Sequence, residues 1–355
     1  MSLIPATILT GFLGSGKTTL LKRILEEAHG QKIAVIENEF GEENIDSDIL
    51  VSETKEQIIQ MSNGCICCTI REDLRGALRD LAEKKRKGEL DFDRVVIETT
   101  GLADPGPVAQ TFFMDDEIAE SYLLDSILTL VDAKHAAGQL NDRQEARRQV
   151  GFADQIFISK TDLVAKDEVD ALVHRLKHMN PRAPQKAVHF GEVALSEVFD
   201  LRGFNLNAKL DIDPDFLKDD DHDHAGHDHA DHEHGEHCDH PSHAHDHATH
   251  GHHHHHEDDV KSFVFRSDKA FDAAKLEDFL GAIVNIYGPK MLRYKGVLNM
   301  KGTDRKVIFQ GVHQLMGSDL GPAWGADEKR TNKMVFIGID LPKDIFLQGM
   351  EQCLV

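Results

Sequence analysis

No apolar run in these 355 residues approaches the about 20 that a membrane-crossing helix needs, so the sequence offers no membrane span. Cysteine is scarce as well. There are five, and three of them crowd into four positions of "NGCICCTI" (63–70). That is no framework of paired disulfides, and a reducing cytoplasm is the simplest compartment for it. The opening stretch "LIPATILTGFLG" has neither a basic leader nor a small-residue cleavage site and runs straight into a glycine-rich loop, so it is not read as a signal peptide. Basic charge is also lacking. The net charge is −22, yet 13 of the acidic residues lie in 219–259, which holds no Lys or Arg. The rest is mildly acidic without a basic stripe, which argues against nucleic acid as a partner.

What is present divides into three. Up to about residue 205, short runs rich in Ile and Val alternate with longer amphipathic ones. "PATILT" (5–10), "KIAVIE" (32–37), "RVVIET" (94–99), "SILTLV" (126–131) and "DQIFIS" (154–159) read as buried parallel strands. Between them "TTLLKRILEEAH" (18–29), "DLRGALRDLAEKKRK" (73–87) and "KDEVDALVHRLKHM" (166–179) read as helices, so the expected fold is a doubly wound α/β sheet. Residues 206–260 form a second region. Within it, 219–259 contain no Val, Ile, Leu, Phe, Trp or Tyr but 17 of the 23 histidines, the composition of a disordered metal-collecting linker. From 261 to 355 pattern returns as a smaller α+β domain. Its expected strands are "KSFVFR" (261–266), "RYKGVLNM" (293–300), "RKVIFQGVH" (305–313) and "NKMVFIGID" (332–340), with helices at 272–287 and 342–352.

"GFLGSGKTT" (11–19) fits the phosphate-binding loop G-x-x-x-x-G-K-[ST], with a strand before it and a helix after. Gly11, Gly14, Ser15, Gly16 and Thr19 supply backbone that can wrap phosphate oxygens at a helix N-terminus. Lys17 should reach the β- and γ-phosphates, and the Thr18 hydroxyl should ligate Mg²⁺. "IETTGLADP" (97–105) ends another strand, where Glu98 is placed to hold Mg²⁺ through water and the Gly101 N–H to sense the γ-phosphate. "ENEFGEENID" (37–46) is expected to be a nucleotide-responsive loop, with Asp46 a candidate for the magnesium or its waters. "SKTD" (159–162) stands where guanine-binding loops carry N-K-x-D. Asp162 could accept from the guanine N1 and N2 hydrogens while the Lys160 stem packs on the ring, and Ser159 in place of Asn softens that preference. A plain polar strand-to-helix turn is the alternative for this short motif. No positioned base or arginine finger is visible, so intrinsic GTP hydrolysis should be slow.

For Cys65, Cys67 and Cys68 three fates compete. Cysteine packs as a small hydrophobe, but three beside Asn63 and Gly64 look like loop. A disulfide between such close neighbours is strained, which leaves redox sensing as an alternative. Zinc-type ligation suits the chemistry best, because thiolates are soft and can converge on one ion from a tight loop. Three thiolates, or two with carboxylates such as Glu37 and Glu42, would leave an exchangeable position from which an ion can be handed on. Cys238 could join as a stray thiolate, and Cys353, without a partner motif, is read as inert. His135, His174, His178 and His189 are read as surface histidines.

The phosphate loop with "ENEFGE", "GCICC", "ETTGLADPGPV", "SKTD", "LRYKGVL", "GVHQ" and "MVFIG" resembles the CobW family of P-loop GTPases, in its YjiA-like branch, from about residue 4 to 342 apart from the His-rich insert. The resemblance implies a GTPase domain with a CobW-type C-terminal domain. It also implies a GTP-dependent metal-insertion role, most often for zinc, with client metalloproteins as partners. Its implied ligands are Cys67 and Cys68, with Cys65, Glu37 and Glu42 as candidates. Trp324, His313 and Arg330 match family positions and receive no role. Two further functions are weighed beside this one: a His-rich metal buffer with a regulatory nucleotide domain, and a nickel- or cobalt-insertion accessory GTPase. A homo-oligomer stays open.

Overall fold

A computed structural model of the chain describes residues 3–27, 31–37, 69–201, 203, 259–326 and 328–355. Cys65, Cys67, Cys68, Cys238, Glu42, Asp46 and the His-rich tract lie outside the described residues.

The apolar runs of the first region become one parallel sheet. It comprises β1 (Ile4–Gly11), β2 (Ile33–Glu37), β3 (Arg94–Glu98), β4 (Tyr122–Asp132), β5 (Gln155–Ser159) and β6 (Gln185–Val188), in the order β2-β3-β1-β4-β5-β6. Each neighbouring pair is parallel, and all strands but the half-exposed edge strand β6 are buried almost end to end because helices cover both faces. Leu20, Leu21, Ile24 and Leu25 of α1 (Lys17–Glu27) pack on Leu9, Val35 and Leu128 at one face. The other face is closed by α2 (Thr69–Lys87), α3 (Pro105–Met114), α5 (Ala136–Asp142), α6 (Gln144–Phe152) and α7 (Lys166–Met179), with the short α4 (Asp116–Ser121) beside α3.

The C-terminal part is an antiparallel sheet in the order β10-β9-β8-β11-β7, from β7 (Val260–Ser267), β8 (Met291–Asn299), β9 (Arg305–Val312), β10 (Leu315–Ala323) and β11 (Asn332–Ile339). One of its faces carries α8 (Ala273–Tyr287) and α9 (Lys343–Gln352), with Phe346 of α9 packed on Phe263 and Phe336 of the sheet. Val260, Leu292, Val335 and Ile337 at the other face join the same core as Val150, Phe152 and Leu176, so the two sheets are bound through α6 and α7. At the seam Arg293 donates to the Phe152 carbonyl (3.0 Å), to Asp154 Oδ1 (2.6 Å) and to the Gly203 carbonyl (3.0 Å).

The structure lengthens or adds elements where the apolar pattern is broken. β4 begins at Tyr122, four residues before the run "SILTLV", because the intervening Asp125 is buried and paired with Arg94 at 3.1 Å. α3 opens on Pro105, where a missing N–H costs nothing, and Asp104 caps it by accepting from the Gly106 N–H at 2.9 Å. β10, rich in Gly and Pro, is an edge strand whose burial alternates, and such a sequence does not announce a strand. Cys353 is buried, its Sγ donating to the Gly349 carbonyl at 3.1 Å, which agrees with an inert role.

Arg293 and Asp154 are 3% and 6% exposed, so breaking the pair leaves a charge in the interface. Asp154→Ala should cost about 3–5 kcal/mol and also free the Ile127 N–H that donates to the carboxylate. Calorimetry should record a lowered midpoint with the transition splitting in two; a single transition at the wild-type midpoint would contradict this seam.

Candidate nucleotide and metal site

The loop after β1 turns back on itself before α1, with Ser15 N–H donating to the Phe12 carbonyl at 3.1 Å. Gly16 sits at φ 93°, a backbone region closed to most side chains, so the motif's second glycine is required by the turn. Lys17 reaches into the loop and donates to the Gly11 (3.2 Å) and Phe12 (3.1 Å) carbonyls. The Ser15 hydroxyl is buried and has no partner among the described residues, which suits a loop shaped for phosphate oxygens. Thr19 is exposed beside it at the start of α1.

Parallel pairing of β1 with β3 brings Glu98 opposite Leu9, and the Thr18 Oγ1 donates to Glu98 Oε1 at 3.1 Å. A hydroxyl and a carboxylate one hydrogen bond apart at a helix N-terminus are hard oxygen ligands and fit Mg²⁺. On the far side of β3, β2 pairs in register so that Glu37 lies opposite Glu98, and Glu37 is buried. The Gly101 loop lies flush on the phosphate loop: a Cβ there would come within 2.6 Å of Leu13 Cα.

"SKTD" closes the site from the β5 side. Ser159 Oγ donates to the Ser15 carbonyl at 2.8 Å and so braces the phosphate loop. Lys160, at φ 58°, donates to the Gly14 carbonyl and to Asp132 Oδ2, each at 2.7 Å. Asp162 is exposed at the start of a 3-10 turn, with His189 Nδ1 3.8 Å away. Sequence reasoning passed over Asp132, which ends the apolar run of β4 and is fully buried. Burial pushes its carboxyl up, but hydrogen bonds with Lys160 and His135 outweigh that and hold it below the usual range. A carboxylate ending a buried strand was the available signal. His135, His174, His178 and His189 are all exposed, whereas His313 is buried against Phe152 and burial lowers its pKa. Trp324 is buried under the Lys306 ammonium, 4.9 Å from the ring centre.

The structure thus brings together Gly11, Gly14, Ser15, Gly16, Lys17, Thr18, Thr19, Glu98, Gly101 and Lys160, with Glu37 one strand away. A phosphate loop at the C-terminal edge of a parallel sheet, faced by a carboxylate from the neighbouring strand, defines a P-loop nucleotide hydrolase. Residues 5–186 match the CobW/HypB/UreG nucleotide-binding domain, and residues 260–354 match the cobalamin synthesis protein CobW C-terminal domain. The chain is 41% identical over 344 residues to the zinc chaperone YjiA of Escherichia coli, covering 97% of this chain and 96% of that one. It is 37% identical over 208 residues to zinc-regulated GTPase metalloprotein activator 1 of Schizosaccharomyces pombe, covering 57% of this chain and 50% of that protein. The crystal structure of Zn(II)-bound YjiA GTPase from E. coli superposes with a TM-score of 0.75 at 36% identity, covering 100% of both chains. This chain belongs to the CobW family, and it is a P-loop GTPase.

Burial pulls the Lys17 ammonium below its ordinary pKa, against the opposing charge of Glu98. Phosphates favour the charged form, so nucleotide binding takes up a proton once the free lysine has begun to lose one. GTP affinity should therefore weaken as pH rises above neutral, and up to about pH 9, below the range in which the guanine N1 proton is lost, Lys17→Arg, which stays charged, should flatten the profile. Titration calorimetry across that range checks it; a flat wild-type profile contradicts it.

Proposed function

We propose that this chain is a GTP-dependent zinc metallochaperone of the cytoplasm, which binds zinc as cargo and passes it to client metalloproteins. The observation that carries the proposal is the register of β2 on β3. Glu37, the last residue of β2, stands opposite Glu98, the expected Mg²⁺ ligand. In-register residues of adjacent parallel strands project to the same face and lie about 5 Å apart. Carboxylates separated by the same distance as their backbones would repel by on the order of 3 kcal/mol at an effective dielectric near 20. A cation at one changes the affinity of the other for a cation.

In this proposal Gly11, Gly14, Ser15, Gly16, Lys17 and Thr19 cradle the phosphates of GTP, the Gly101 N–H senses the γ-phosphate, and Asp162 with Lys160 selects guanine. Thr18 and Glu98, with Asp46, hold Mg²⁺, which when bound offsets the charge developing on the transferred phosphoryl group. Zinc is taken by Cys65, Cys67 and Cys68 with Glu37 and Glu42. In the sequence these cysteines lie between Glu37, which ends β2, and Thr69, which opens α2. The tract within 206–260 collects metal for this site through its 17 histidines. The names of the two relatives, a zinc chaperone and a zinc-regulated metalloprotein activator, support zinc as the cargo and metalloproteins as the clients.

In a chain lacking 219–258, Cys67→Ser with Cys68→Ser should lower zinc affinity about 100-fold or more, two to three thiolate contacts being the bulk of such a site. Competition with a chromophoric chelator measures it. Unchanged affinity in the double variant would place the cargo elsewhere and leave the buffer function standing.

A further inference from the structure

Helix α6 contains a polar group that neither the phosphate loop nor the strand carboxylates account for. Gln149 is fully buried, yet its side chain points at the loop that follows β3. Its Nε2 donates to the Gly101 carbonyl at 3.2 Å and to the Ala103 carbonyl at 2.9 Å. Two carbonyl acceptors on one nitrogen fix which end of the amide faces the loop. The Oε1 is buried without a donor among the described residues. An apolar residue of that shape would avoid the orphaned acceptor but take the donor from both carbonyls, so what the amide supplies here is its grip on the loop.

That loop is held from both sides. In front, Gly101 presses on Leu13 of the phosphate loop. Behind, Gln149 takes two of its carbonyls, and Arg148, one residue earlier, pairs with Asp104 at its end. α6 itself is pinned along its length. Thr129 of β4 donates to the Gln149 carbonyl at 2.8 Å. Asn180, also fully buried, donates to the Val150 carbonyl at 2.8 Å and the Ala153 carbonyl at 2.9 Å. Arg293 of β8 takes the Phe152 carbonyl, and Gly151 is so close to Leu292 that a Cβ would lie 2.6 Å from its Cδ1. The grip on the Gly101 loop is therefore anchored in the C-terminal sheet.

We propose that Gln149 is a positioning residue of the GTPase reaction, holding the Gly101 loop at the depth where its amide meets the γ-phosphate, with α6 fixed for that task by the C-terminal domain. The inference rests on the proposed role of Gly101 as γ-phosphate sensor. GDP has no γ-phosphate, so a positioning defect should spare GDP binding while a general packing defect would not.

The test uses the full chain and Gln149→Leu, which keeps the volume and removes the donor. Single-turnover GTP hydrolysis should slow about 10-fold or more, the effect of a small misplacement of a reacting geometry, while GDP affinity stays within about twofold. Gln149→Met serves if the leucine variant does not fold. Hydrogen exchange of residues 99–104, with GDP against a non-hydrolysable GTP analogue, separates the two ideas. If wild-type exchange there is the same with both nucleotides, the γ-phosphate role of Gly101 fails. If wild type discriminates and the Gln149 variant discriminates and hydrolyses as well as wild type, the positioning role fails. Equal losses of GDP and GTP affinity would also overturn it, since they signal simple packing.

Discussion

The site depends on the register of three adjacent strands, β2, β3 and β1. Leu9 opposite Glu98 brings the carboxylate to Thr18, and Glu37 opposite Glu98 brings a second carboxylate to the same edge. Side chains alternate faces along a strand, so a slip by one residue at either pairing would send Glu98 or Glu37 to the opposite face of the sheet. The pairing is secured by burial on both faces, with Val35, Val96 and Leu9 on the α1 side and Ala34, Ile36, Val95 and Ile97 on the other. The interior that makes the sheet stable is thus what sets the geometry of the edge that carries Glu37 and Glu98.

Around that edge the loops brace one another more than they brace themselves. Ser159 and Lys160 hold the carbonyls of Ser15 and Gly14, Thr99 Oγ1 donates to Thr10 Oγ1 at 2.9 Å, and Gly101 lies on Leu13. The buried carboxylate of Asp132 holds the Lys160 ammonium from beneath. A change at the phosphates has few ways to be absorbed locally, since each loop is tied to its neighbour. Behind these loops α6, clamped by Arg293 and Asn180, joins them to the second sheet.

Much of this could be read from the sequence, for identifiable reasons. Lys17, Thr18 and Glu98 were legible because strand, loop and helix follow one another in a fixed local order; the direct hydrogen bond from Thr18 to Glu98 was not. The doubly wound sheet was legible because parallel strands buried on both faces are nearly continuous in Ile and Val. The register of Glu37 on Glu98 was not, because register is a long-range property that no local pattern encodes. Asp125 and Asp132 interrupted or ended apolar runs, and their partners Arg94 and Lys160 lie 31 and 28 residues away. Gln149 is polar on a short helix and looks like a surface residue until the Gly101 loop folds over it. His313 was left without a role in the sequence, and only the fold shows it buried against Phe152.

In the proposed function the nucleotide site and the zinc site share one sheet edge through Glu37 and Glu98. The most direct measurement is the zinc affinity of the chain lacking 219–258, by chelator competition, with GDP and with a non-hydrolysable GTP analogue and Mg²⁺. Asp259 stays in that chain because it pairs with Arg147. That shared edge predicts affinities that differ by about 10-fold or more, equivalent to about 1.4 kcal/mol, and a difference that disappears in Glu98→Gln. Equal affinities with the two nucleotides, or a difference that survives in Glu98→Gln, would contradict it.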